Sequence, residues 1–156
     1  WAAMAVCTER AEGLELARLL LRGSSDHDIL FALDLLVMTV CKGRNAKGAL
    51  ELARVLISKG AGSNHEAQDT SALYWAARAV YLGRSDGLEL TRLLVEAGAD
   101  VNFVDHEDMS SLFWAARMVH EGRSGGLELA KLFIGKGADV NLQNTENGMT
   151  ALQIAA

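Results

Sequence analysis

Leu88-Glu89-Leu90-Thr91-Arg92-Leu93-Leu94-Val95-Glu96-Ala97-Gly98-Ala99-Asp100-Val101-Asn102 is the stretch that decides the fold. Leu90, Leu93, Leu94 and Ala97 fall at i, i+3, i+4 and i+7, the spacing of one buried face of an α-helix. Gly98 follows at the position where a left-handed residue ends a helix. The stretch is not unique. Leu-Glu-Leu recurs at Leu14, Leu50, Leu88 and Leu127, in steps of 36, 38 and 39 residues, and Gly23, Gly60, Gly98 and Gly137 close the corresponding helices. A period of this size marks a solenoid of small repeated units.

A second helical signal precedes each Leu-Glu-Leu. It is clearest in Leu73-Tyr74-Trp75-Ala76-Ala77-Arg78 and Leu112-Phe113-Trp114-Ala115-Ala116-Arg117, and it also opens the chain at Trp1-Ala2-Ala3-Met4 and closes it at Leu152-Gln153-Ile154-Ala155-Ala156. The segment from about Ser71 to Leu82 ends at Gly83, and Asp86 lies three residues before Glu89, the spacing of a capping box for the second helix. Each unit is therefore read as helix, Gly-rich turn, helix, Gly turn and connector. Glu15/Arg18, Glu51/Arg54, Glu89/Arg92 and Glu128/Lys131 stand three apart in the four second helices and are read as solvated pairs within each helix.

The composition agrees with such a stack. The 156 residues are 50% hydrophobic and 22% charged, which is too apolar for a disordered chain. There is no proline, so long loops are not expected. A net charge of −5 argues against a phosphate-binding face, and hence against nucleic acid. No apolar run reaches the ~20 residues that cross a bilayer, and the first residues lack a basic signal-peptide region. The expectation is a cytoplasmic protein, in its own cell or a host's, with no membrane partner. Cys7 and Cys41 are too few for a disulfide scaffold and form no CxxC or CxxH pair.

Ala97-Gly98-Ala99-Asp100-Val101-Asn102 and Lys136-Gly137-Ala138-Asp139-Val140-Asn141 resemble the Gly-Ala-Asp-Val-Asn that ends an ankyrin repeat. Gly148-Met149-Thr150-Ala151-Leu152-Gln153-Ile154-Ala155-Ala156 resembles the Gly-x-Thr-Pro-Leu-His-x-Ala-Ala that follows it, with Ala for Pro and Gln for His. The resemblance covers nearly the whole chain. It implies an all-α, ankyrin-like helical solenoid of about four stacked helix pairs, with short β-hairpin-like connectors at least between the later repeats. The single domain, 1–156, divides into repeats at roughly 1–29 (partial), 30–67, 68–106, 107–147 and 148–156 (partial).

The sequence departs from the family in three ways. The period is about 39 against 33, and the extra residues fall at the end of the first helix and its turn, as in Val80-Tyr81-Leu82-Gly83-Arg84-Ser85-Asp86-Gly87. The first connector, Ser24 to Asp28, is too short for a projecting hairpin. The Pro and His of the motif are absent. Tetratricopeptide-like and Sel1-like solenoids share the period but lack the Gly-Ala-Asp-Val-Asn segment.

No catalytic constellation is found: there is no phosphate loop, HExxH or GxSxG. No cofactor or metal is expected either. Asp105-His106-Glu107-Asp108 and Asp26-His27-Asp28 gather carboxylates and imidazoles, but consecutive residues cannot all face one ion, and the first run falls at a solvated hairpin tip. Cys7, Cys41, Tyr81 and His120 form one column; stacked helices ~8–10 Å apart exceed the ~7 Å Cα separation a disulfide tolerates, so free thiols are expected. Trp1, Leu35, Trp75, Trp114 and Ile154 form another, read as inward-facing core with Trp1 as the exception.

The resemblance implies binding of another protein through hairpin tips and the exposed face of the first helices. Carried over by position, the tips are Ala67, Gln68 and Thr70; His106, Glu107 and Met109; and Glu146, Asn147 and Met149. The first helices contribute Arg78 and Ala79, then Arg117 and Met118. The expected function is a non-enzymatic protein–protein interaction module. The alternatives are a regulatory or targeting segment of a larger enzyme or effector, and a solenoid that self-associates end to end through uncapped termini.

Overall fold

The computed structural model describes residues 19, 22–43, 48–59, 72–104, 109–145 and 147–156. Among the described residues seven helices follow in order: α1 (Asp26–Cys41), α2 (Ala49–Ser58), α3 (Ala72–Tyr81), α4 (Gly87–Glu96), α5 (Ser111–His120), α6 (Gly126–Gly135) and α7 (Ala151–Ala155). First helices α1, α3, α5 and α7 stack in one layer and second helices α2, α4 and α6 in the other. The architecture is the expected all-α solenoid. Among the described residues the connectors contain two isolated antiparallel bridges, Val104 with Ser110 and Gln143 with Thr150.

The periodic apolar positions supply the core. Leu52, Leu90 and Leu129 of the second helices and Leu33, Leu73 and Leu112 of the first are all buried between the layers. Two close approaches set the helix pairing. A Cβ at Gly87 would stand 2.7 Å from the Val80 nitrogen, and one at Gly126 would stand 2.7 Å from Met118 Cβ, so only glycine lets each second helix start this close to its partner.

The Gly-Ala-Asp-Val-Asn segments are wired to one another. The Asp100 carboxylate accepts the Asn102 N–H at 2.9 Å, a closed Asx turn. The Asn102 side chain donates to the Gly137 carbonyl at 3.1 Å and accepts the Asp139 N–H at 2.6 Å, which joins one repeat's turn to the next.

Four local expectations are corrected. Glu51/Arg54 and Glu89/Arg92 do not pair within a helix: Arg54 reaches Glu89 at 2.7 Å and Arg92 reaches Glu128, each across to the following repeat, while Glu15/Arg18 lies outside the described residues. Both rungs are exposed and contribute tenths of a kcal/mol at most. Asp86 makes no side-chain cap bond to α4, and its carboxylate accepts from the Ser85 hydroxyl instead. The connector assigned to Ser24–Asp28 is mostly helix. Ser25 and Asp28 form a reciprocal capping box that starts α1 at Asp26, making it 16 residues long and carrying it across the 29/30 repeat boundary. In the tryptophan column Trp114 is buried, while Leu35, Trp75 and Ile154 are only partly so; Trp1 and Cys7 lie outside the described residues.

Candidate protein-binding face

The lengthened turns after the first helices are built alike. Leu82 N–H donates to Arg78 O, Gly83 N–H to Val80 O and Arg84 N–H to Ala79 O; one repeat later Glu121, Gly122 and Arg123 donate to Arg117, Val119 and Met118. Gly83 and Gly122 take the left-handed conformation that closes such a turn, at φ 71° and 66°. The arginine that follows each glycine reaches back over the preceding repeat. Arg84 Nε donates to the Cys41 carbonyl at 3.3 Å, and an Arg123 guanidinium nitrogen donates to the Tyr81 carbonyl at 3.1 Å. These arginines cap orphan carbonyls at neighbouring helix ends.

A ladder of cations and aromatic rings runs across α3 and α5. Arg78 lies 5.3 Å from the Trp75 ring centre and 5.8 Å from that of Trp114. Tyr74 and Tyr81 pack against Trp114 at 5.9 and 5.0 Å. Tyr81 is bracketed by Arg117 at 5.3 Å and Arg123 at 4.4 Å. Glu121 ties this end together: its carboxylate accepts from Tyr81 Oη at 2.9 Å, Arg117 Nε at 3.0 Å and Arg123 Nε at 2.6 Å. The Arg123 and Arg117 guanidiniums and the Tyr81 hydroxyl hold the Glu121 pKa down at about 2. The Trp114 indole N–H is buried without an acceptor. Burial pushes the Cys41 thiol up, so this free cysteine is not a reactive thiolate.

Beside the ladder, the last hairpin and helices α5 and α7 enclose a cleft of about 420 Å³. Met109, Phe113, Met149 and Ile154 supply its apolar lining; Arg117, His120, Glu121, Asn144, Asn147 and Gln153 supply the polar part. The buried Asn144 shapes this hairpin, since its side-chain oxygen accepts the Met149 N–H at 3.1 Å. Thr150 and Gln153 form a capping box that starts α7.

Four residues assigned from the sequence meet in this cleft: Met109, Arg117, Asn147 and Met149. Arg78 stands on the ladder, one repeat away. Ala67, Gln68, Thr70, His106, Glu107 and Glu146 lie outside the described residues. Two assignments are corrected. Ala79 and Met118 are 0% and 1% exposed, so neither is on an open face. One residue step turns ~100° around a helix, which carries Ala79 from the side of Arg78 toward α4, and Met118 from the side of Arg117 to the glycines that start α6.

Sequence reading missed Trp114 as part of a ladder, and also Tyr81, Glu121 and Arg123. The signal was present in the repeated Gly83-Arg84 and Gly122-Arg123 pairs, which fall where the period is longest.

The ankyrin repeat model matches residues 68–106, and the model for ankyrin repeats in many copies matches residues 112–156; together they take in more than half of the chain. The chain belongs to the ankyrin repeat family. No curated protein matches it. Ankyrin repeats are in general modules for protein–protein interaction, typically without catalytic activity. Among the described residues, no group of three or more His, Cys, Asp or Glu stands close enough to hold a metal ion. No helix there is long and apolar enough to cross a membrane.

Proposed function

We propose that this ankyrin stack binds a protein partner with the face formed by its first helices and hairpins, centred on the cleft between α5, the last hairpin and α7. The cleft itself carries the reading. Two methionines from successive connectors, Met109 and Met149, line it together with Phe113, Arg117 and Asn147, and a mixture of adaptable apolar groups with a few polar ones suits a protein side chain or loop. Met149 is 41% exposed, more than packing within the stack requires. Capture of partners with the wild-type chain, repeated with Met149→Glu, tests it. Loss of the captured protein with an unchanged melting temperature supports the cleft, and retention at full yield refutes it.

A further inference from the structure

Adjacent repeats show the same turn in two states, one with a carboxylate and one without. Around α5, Arg117 and Arg123 share the carboxylate of Glu121. The residues at the same places one repeat earlier are Arg78, Arg84 and Leu82, and the backbone bonds of the two turns match donor for donor. The two arginines are therefore kept, while the acid between them is replaced by a leucine that is 41% exposed. Cys41 stands where the later repeat has Tyr81, so Arg78 has neither that ring nor that carboxylate and rests on Trp75 and Trp114. Arg84 lies on Gly43, where a Cβ would come within 2.6 Å of its guanidinium carbon, and it uses Nε on the Cys41 carbonyl. On a chain of net charge −5, these two arginines, with no carboxylate partner among the described residues, are a local reversal of sign.

We propose that the turn at Arg78, Leu82 and Arg84 is a docking site for an acidic side chain of the protein partner, whose carboxylate takes the place that Glu121 fills in the next repeat. The proposal rests on the protein-binding reading and names the chemistry of the partner. Glu121 shows what the site accepts: one planar carboxylate that receives N–H groups from two arginines. Leu82 leaves an exposed apolar contact beside it, which fits a partner segment with an aliphatic residue next to its Glu or Asp. Arg78 reaches the site by taking the side-chain direction of Arg117, which bonds the residue four places on along its helix.

The test gives the site back its internal acid. Leu82→Glu reproduces the later turn, so the introduced carboxylate should titrate well below the ordinary glutamate range, as Glu121 does, and occupy the site. The probe is a capped hexapeptide with two glutamates and two leucines, and its controls are the same peptide with glutamines and inorganic phosphate. In nitrogen–proton spectra of the wild-type chain the acidic peptide should move the Arg84 Nε–H and Trp114 indole N–H signals. The glutamine peptide should bind at least 10-fold more weakly, and Leu82→Glu should reduce acidic-peptide binding at least 10-fold. Arg78→Met, which keeps the stem over the rings, should do the same. Equal binding of both peptides, undiminished binding to Leu82→Glu, or phosphate binding as tight as the acidic peptide would overturn the proposal. None of these results depends on the α5–α7 cleft, whose own test is Met149→Glu.

Discussion

Asp34 is the residue whose replacement should stabilise this protein. It lies in α1 against α3, and its carboxylate accepts the backbone N–H of Ala72 at the start of α3. Burial outweighs that hydrogen bond and raises its pKa from 3.8 to about 6. The folded chain therefore holds this proton up to about pH 6 while the unfolded chain releases it near 3.8. Stability from this group is complete below 3.8 and falls as pH rises through about 6. A shift of about 2 pK units corresponds to about 3 kcal/mol at pH 7.5. Asp34→Asn keeps an oxygen for the Ala72 N–H and removes the charge, while its NH2 group is a new donor that offsets part of the gain. The expected outcome is a stabilisation of about 1–3 kcal/mol at pH 7.5, or a rise in Tm of roughly 2–10 °C for a chain of this size. The gain should shrink as the pH approaches 4. Urea melts of both proteins at pH 7.5 and 4.5 measure it. Destabilisation at pH 7.5, or the same difference at both values, would show that Asp34 is not held neutral by its surroundings.

Gly126→Ala should destabilise by about 1–3 kcal/mol through overpacking, because its Cβ meets Met118 Cβ at 2.7 Å; Gly135→Ala, with nothing within 4 Å, should be neutral or slightly stabilising in the same thermal melts. Trp114→Ala should cost on the order of 3–5 kcal/mol, and Trp75→Ala less, since Trp75 is only partly buried. Denaturant melts followed by circular dichroism separate the two. Glu121→Gln should lower stability near neutral pH, with the difference fading as acid protonates the wild-type carboxylate between 4.5 and about 2; a pH series of melts reads the sign.

The stack was legible in the sequence because its signals are periodic. Leu-Glu-Leu and the helix-ending glycines mark each unit, and Gly87 and Gly126 fall where two backbones nearly touch. Contacts between repeats were harder to read. A Glu and an Arg three apart fit a bond within one helix, and the same column fits a bond to the next repeat; Arg54 and Arg92 chose the second. The face of each first helix was misjudged by one residue, enough to carry Ala79 and Met118 from surface to core. The ladder was hidden because Tyr81 and Trp114 come from different repeats and meet only after stacking.

The most direct test of the account is a hydrogen-exchange footprint of the chain with a captured protein partner. Protection should appear in peptides covering 109–120 and 147–155, with the turn at 78–84 included if the partner's acidic residue docks there, while the outer helices α4 and α6 exchange as in the free chain. Protection confined to α4 and α6, with the hairpin and first-helix peptides unchanged, would place the partner on the opposite side of the stack and contradict the account.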